Sequence, residues 1–273
     1  GIQKSGKTQL LRLVSGLDKP TSGQIFIDSN DVTNFGVKTR KCEILYRIPC
    51  DFSSYPSCIL LDEPLSNIAA NLKSETIQQL WDKLRSYNVP VIYTTVDYNE
   101  AMSLGDQIAV IDSGKIVQIG GSNELYNRPS SLVVASLIGS PPISTLLGTG
   151  QMIERFPAVT TAHGTFKLPL SSIGILLKYL DGGAVYLAFR PNVATVSTDL
   201  VCQTNRLAGE LKRIEHLGDR AVLRFAVGET KIAVVQEPWQ TNHLRIGQRY
   251  GIDIQPSNLL IFDAVSGQRL WPI

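Results

Sequence analysis

The eight residues Gly1-Ile2-Gln3-Lys4-Ser5-Gly6-Lys7-Thr8 satisfy G-x-x-x-x-G-K-[ST] in full, and no other stretch constrains the fold as tightly. The two glycines let the backbone curl so that successive N–H groups point inward at phosphate oxygens, and the helix expected next offers its positive end to the same anion. Lys7 supplies a point charge for the β and γ phosphates of a nucleotide, and the Thr8 hydroxyl is a Mg²⁺ ligand. Gly1 to Thr8 are therefore the candidate nucleotide-binding residues. A second part is Ser57-Cys58-Ile59-Leu60-Leu61-Asp62-Glu63, an apolar strand that ends in two carboxylates. A phosphate-loop enzyme puts there the acid that holds Mg²⁺ through water and the base that addresses the attacking water, which assigns Asp62 to the metal and Glu63 to the base.

At 273 residues, 43% hydrophobic and 18% charged, the chain is long enough for about two globular domains. Its 26 basic and 24 acidic residues leave a net charge of +2, too small a surplus to neutralise a nucleic-acid backbone, so nucleic acid is disfavoured as the main partner. No apolar run reaches the roughly 18 to 20 residues that cross a bilayer, and no membrane span is expected. Cys42, Cys50, Cys58 and Cys202 form no C-x-x-C pair, and His163, His216 and His243 lie far from the first three. Reduced thiols are expected, and no metal site built from them. The chain opens at Gly1 with neither a Met nor a charged-then-apolar leader, and reads as a fragment or as lacking its start.

Apolar β-type runs at Gln24 to Ile27, Cys58 to Leu61, Val91 to Thr95 and Gln107 to Ile111 alternate with helical periods, which predicts a mainly parallel α/β sheet. Ile77, Leu80, Trp81 and Leu84 share one helix face, with Trp81 read as core. Ala109 to Ile119 reads as a hairpin about Asp112-Ser113-Gly114-Lys115. Composition changes at Gly139-Ser140-Pro141-Pro142, which puts a domain boundary between 1–138 and 139–273. Beyond it, runs at Ala184 to Phe189, Gly209 to Ile214, Ala221 to Ala226, Lys231 to Val235, Tyr250 to Ile254 and Leu259 to Phe262 predict a small all-β domain, barrel or sandwich. Lys4 and the run Lys38-Thr39-Arg40-Lys41 read as solvated, and His216 as structural.

Five stretches carry a resemblance. Gln9 to Val32, Cys58 to Asn67 (CILLDEPLSN), Val91 to Met102 (VIYTTVDYNEAM), Ile108 to Gly120 and Glu124 to Pro129 are similar to the ATPase subunits of ABC transporters. The closest group is the subunits of bacterial sugar and glycerol-phosphate importers. Their C-terminal β domain is echoed by Phe189-Arg190-Pro191, by Glu215 to Asp219 and by Ile261 to Ala264 running into Gly267 to Leu270. Only Phe35 to Pro56 stays outside the match. The resemblance implies a phosphate-loop NTPase domain followed by an OB-like barrel, with ATP and Mg²⁺ as cofactors. It also implies transmembrane permease subunits and a second ATPase subunit as partners, and a cytoplasmic, peripheral place on the inner face of the cell membrane.

The sequence departs from that family at several points. The LSGGQ signature, which closes over ATP from the opposite subunit, is absent from the chain. Thr8 and Asp62 are 54 positions apart, whereas the family carries a longer stretch that holds the Q-loop and a helical subdomain docking on the membrane partner. The family's switch histidine corresponds to Val96, and valine cannot donate a hydrogen bond. Ser66-Asn67-Ile68-Ala69 stands where S-N-L-D is usual. A start at Gly1 would also omit the strand ahead of the loop and an upstream aromatic that stacks on adenine, which predicts weak nucleotide binding. The combined expectation is an ATP-binding importer subunit impaired in hydrolysis. The alternative is a non-catalytic interaction or regulatory protein, or the product of a decaying gene.

Overall fold

The computed structural model describes residues 1–46, 56–201 and 204–272. Cys50, Cys202 and part of the unmatched stretch between Phe35 and Pro56 lie outside the described residues. The chain forms two compact units, Gly1–Ser122 and Asn123–Ile273. The composition break at 139–142 falls inside the second unit, because the helix before it packs there: Ala135 shares a buried cluster with Ile143, Ala188, Leu260 and Phe262. Among the described residues no helix is long and apolar enough to cross a membrane.

The first unit runs α1 (Lys7–Ser15), β1 (Phe26–Ile27), β2 (Asn30–Asp31), α2 (Val37–Arg40), β3 (Cys42–Leu45), β4 (Cys58–Asp62), α3 (Ala70–Tyr87), β5 (Val91–Thr94), α4 (Tyr98–Leu104), β6 (Ile108–Asp112) and β7 (Lys115–Gly120). Strands β3, β4 and β5 form a parallel sheet in that order. The central strand β4 is buried along its whole length, as a strand covered on both faces must be. Its side chains alternate between the faces. Ile59 and Leu61 meet Leu80 and Leu84 of α3, while Cys58 and Leu60 meet Leu11 of α1 and Cys42. Trp81 departs from its reading as core: it is half-buried, one step round the helix from Leu80, and the Arg85 guanidinium covers its ring at 4.5 Å. The pair β6 and β7 is an antiparallel hairpin, turned by Ser113 and Gly114 with φ of 48° and 76°.

The second unit begins within α5 (Ser122–Asn127), which α6 (Leu132–Leu137) follows. It continues through β8 (Ser144–Ile153), β9 (Phe156–Thr161), β10 (Gly164–Lys167), α7 (Ile173–Leu176), β11 (Asp181–Phe189), β12 (Ala194–Ser197), β13 (Arg206–His216), β14 (Ala221–Val227), β15 (Thr230–Gln236), β16 (Arg249–Ile254), β17 (Leu260–Asp263) and β18 (Arg269–Trp271). Two antiparallel sheets result, ordered β10-β9-β8-β11-β17-β18 and β12-β16-β13-β14-β15. Their inner faces share one core, in which Phe166, Val185 and Leu187 of the first sheet join Leu223, Phe225 and Ile252 of the second. The predicted strands are all present, and β8, β9, β10, β12 and β18 are additional. Sequence alone hides β8 because Gly148 and Gly150 read as turn residues. Gly150 is instead a close approach, since a Cβ there would lie 2.5 Å from the Tyr179 carbonyl oxygen.

Candidate functional site

The loop from Gly1 enters α1 through Gly6, whose φ of 104° is a left-handed conformation that a side chain would strain. Lys7, the first residue of the helix, is 6% exposed. Its Nζ donates to the carbonyl oxygens of Gly1 at 3.1 Å and Ile2 at 2.7 Å, and stands 3.4 Å from Glu63 Oε1. The lysine thus closes the loop on itself and reaches the end of β4 at the same time. Ser5 is buried and its Oγ has no hydrogen-bond partner among the described residues. A buried hydroxyl without a partner in a glycine loop at a helix start fits a loop that takes an anion. Ile2, Gln3 and Lys4 are exposed, Lys4 with φ of 62°.

Alternation along β4 decides what meets Thr8. Asp62 has the parity of Cys58 and Leu60, the two that face α1, so its carboxylate comes to the helix start. Thr8 Oγ1 donates to Asp62 Oδ2 at 2.8 Å. The other oxygen, Oδ1, accepts from Thr94 Oγ1 at 2.6 Å. Glu63 leaves the strand in a left-handed conformation, φ 46°, and so turns toward Lys7 instead of following the pleat. Sequence reasoning named Asp62, Glu63, Lys7 and Thr8, and the fold brings these four together. It missed Thr94, which reads locally as one more β-branched strand residue.

Val96 does not join them through a polar contact, having none to make, and is 47% exposed. Its neighbours hold the loop. Thr95 Oγ1 donates to Glu100 Oε2 at 2.7 Å and accepts from the Asp97 N–H at 2.9 Å. Asp97 caps α4 by accepting from the Asn99 N–H. Lys73 of α3 bridges Asp97 at 2.9 Å and Glu100 at 2.8 Å, and Tyr93 OH donates to Glu100 at 2.8 Å. Glu100 first and Asp97 second hold the Lys73 ammonium above its ordinary pKa. Burial alone would raise the Asp97 carboxyl, but Lys73 and the backbone N–H groups outweigh it and the net shift is downward.

Two residues outside the site depart from their sequence reading. Arg40 is 3% exposed rather than solvated. Its guanidinium donates to Leu13 and Val14 oxygens at the end of α1, at 2.6 and 2.9 Å, and to those of Phe35 and Thr33 at 2.9 and 2.8 Å. A cation on the last carbonyls of a helix satisfies acceptors that the helix itself leaves open, and here it anchors the far end of the loop's helix. The other members of the basic run, Lys38 and Lys41, are exposed as read. His216 is exposed at the end of β13 and packs no core.

Comparison with known proteins adds a second line. A TOBE domain family model matches residues 182–262, the heart of the second unit. The chain is 32% identical over 247 residues to the Fe(3+) ions import ATP-binding protein FbpC of Photobacterium profundum, covering 65% of this chain and 70% of that protein. It is 25% identical over 343 residues to the trehalose/maltose import ATP-binding protein MalK of Thermococcus litoralis, covering 99% of this chain and 91% of that one. It is 26% identical over 333 residues to the sn-glycerol-3-phosphate import ATP-binding protein UgpC 2 of Agrobacterium fabrum, covering 99% and 86%. The last two alignments are longer than the 273 residues of this chain, so each relative carries stretches with no counterpart here.

Proposed function

The chain belongs to the ATP-binding subunits of ABC importers, and on that premise we propose that it binds Mg·ATP at Gly1 to Thr8, Asp62 and Glu63 but does not turn it over efficiently. The observation that carries the reading is the meeting of Lys7, Thr8, Asp62 and Glu63 at the end of one buried strand. Thr8 and Asp62 would hold Mg²⁺, whose chemistry there would be to neutralise phosphate charge. The residues fit it, because the Thr8 hydroxyl and the Asp62 carboxylate are already joined at 2.8 Å. Lys7 would exchange Glu63 and the loop carbonyls for phosphate oxygens, and the start of α1 would offer its N–H groups to the same anion. Glu63, released from Lys7, would be the base for the attacking water.

Weak turnover follows from what surrounds these groups. Val96 offers no donor at the switch position, and the chain has no LSGGQ segment to close the site from a second subunit. Water would then stay at the γ phosphate, and stabilisation of the transferring group would be incomplete. The longer alignments to the relatives support an internal loss, and the short spacing between Thr8 and Asp62 supports its lying in that interval. The solute of the transporter is sugar-like or glycerol-phosphate-like, supported by relatives of those names that align with both units. The partners are transmembrane permease subunits and a second ATPase subunit, at the inner face of the cell membrane.

Calorimetric titration with Mg·ATP, paired with a phosphate-release assay, tests this reading. Binding is expected in the chain as it stands and absent in Lys7→Ala. Phosphate release is expected at the Lys7→Ala background both for the chain and for Val96→His. A clear Lys7-dependent rate in Val96→His would show that one substitution silences an intact machine and would overturn the proposed impairment.

A further inference from the structure

We propose that Thr94 is a positioning residue for the metal carboxylate, an inference that rests on the Mg·ATP reading of the same site. Asp62 and Thr94 are register partners in the adjacent parallel strands β4 and β5, so their side chains leave the same face of the sheet side by side. Both are buried, at 9% and 6% exposure. A threonine hydroxyl has one proton to give. Here its two nearest acceptors are Asp62 Oδ1 at 2.6 Å and the Leu61 carbonyl oxygen at 3.4 Å, and the short, charge-assisted contact takes the proton.

The consequence is a carboxylate gripped at both ends. Thr8 Oγ1 donates to Oδ2 and Thr94 Oγ1 to Oδ1, so rotation of the carboxylate plane would break two hydrogen bonds at once. Each oxygen keeps lone-pair capacity beyond the one bond it accepts. Asp62 is thereby held in a fixed orientation, with its unused lone pairs free for the water shell of a cation at Thr8. Outer partners of this kind orient a ligand and tune affinity for the metal without touching it. Burial makes solvent a poor substitute for the Thr94 hydroxyl, because Asp62 is only 9% exposed and its carboxylate, deprived of that donor, would pay a desolvation cost.

The test measures binding of a fluorescent ATP analogue to the full chain, once with Mg²⁺ and once with EDTA, together with thermal denaturation. Thr94→Val removes the hydroxyl and keeps the branched shape that suits a strand. The gain in affinity conferred by Mg²⁺ is expected to fall about 10- to 100-fold in Thr94→Val. Affinity in EDTA should stay near that of the parent, the melting temperature should fall only by what one lost buried hydrogen bond costs, and Thr94→Ser, which restores the donor, should recover the gain. An undiminished Mg²⁺ gain in Thr94→Val would overturn the proposal, as would equal losses with Mg²⁺ and with EDTA, which mark a purely structural role. Should Thr94→Val fold poorly, Thr94→Ser against Thr94→Ala gives the same decision, since only the former carries a hydroxyl. Absence of any Mg²⁺ gain in the parent chain would sink the Mg·ATP reading itself, and this inference with it, a result separate from failure in the variant alone.

Discussion

The first unit keeps its buried apolar side chains in two small groups, one on each face of β4, whereas the second pools the inner-face side chains of two antiparallel sheets in one large core and keeps a smaller group around Ala135, Ala188 and Phe262 apart from it. The difference lies in what each sheet has to cover. A parallel sheet is buried on both faces, so its apolar material is divided, and its strands send alternate side chains to the two halves. Two sheets packed face to face need cover only their inner sides and share what they bury. The first arrangement delivers the polar end of β4 into a crowded place where Thr8, Lys7 and Thr94 can reach it. In the second unit the largest fully buried side chains, Phe166, Phe189, Phe225 and Phe262, belong to the packing. The candidate site thus lies in the unit whose buried apolar groups are smaller.

The sharpest way to break that comparison is to truncate each core. Phe225→Ala should cost the second unit about 3–5 kcal/mol, and Leu60→Ala the first about 2–5 kcal/mol, by lost transfer energy and residual cavity. Scanning calorimetry should resolve two transitions, with each variant lowering one. A single transition shifted by both variants would mean that the units melt together and that the contrast between divided and shared cores has no thermodynamic weight.

A smaller effect is expected at Arg40. Arg40→Ala takes a donor from four carbonyl oxygens, those of Leu13, Val14, Thr33 and Phe35, at a cost of about 1–3 kcal/mol to the first unit alone. The same variant should weaken Mg·ATP binding less than Lys7→Ala does, because it loosens the far end of α1 and not the loop. Equal losses in nucleotide titration would show that the helix end and the loop are one device.

The smallest effect concerns acid. Asp263 accepts from the backbone of Ser266, from Tyr179 OH, from the Ser266 hydroxyl and from the backbone of Val265, and these bonds, the Ser266 N–H first, hold its carboxyl well below the ordinary carboxylate range. A depressed folded pKa means stability that is present above the unfolded value of about 4 and is lost as pH falls below it. Denaturation of the second unit at pH values from about 4 downward should therefore be steeper in the parent than in Asp263→Asn. The first unit's acid response should be the same in both. A parallel change in both units would remove Asp263 as the cause.

Much of the fold was legible because it is written in local pattern. The strand ending in Asp62 and Glu63, the helix face of Leu80 and Leu84, the hairpin at Ser113-Gly114 and six strands of the second unit each rest on residues adjacent in sequence. Two of the strands that escaped, β8 and β9, have glycine or proline inside them, and at Gly150 a packing requirement looks like a turn. The site was half legible for the same reason. Lys7, Thr8, Asp62 and Glu63 belong to two short motifs, but the Lys73–Glu100–Thr95 network and the burial of Arg40 join segments that no short window contains.

By itself the amino-acid sequence determined which groups are available and in what local geometry: a glycine loop that must curl, a lysine and a threonine at a helix start, and an apolar run that must be buried before it can present two acids. Tertiary structure alone decided which of those groups meet. Parity along β4 turned Asp62 toward α1, register with β5 set Thr94 beside it, and a left-handed residue turned Glu63 to Lys7. Face and register are properties of a strand among its neighbours. A shift of one residue exchanges every side chain between the two faces, so no reading of the strand alone could have fixed them.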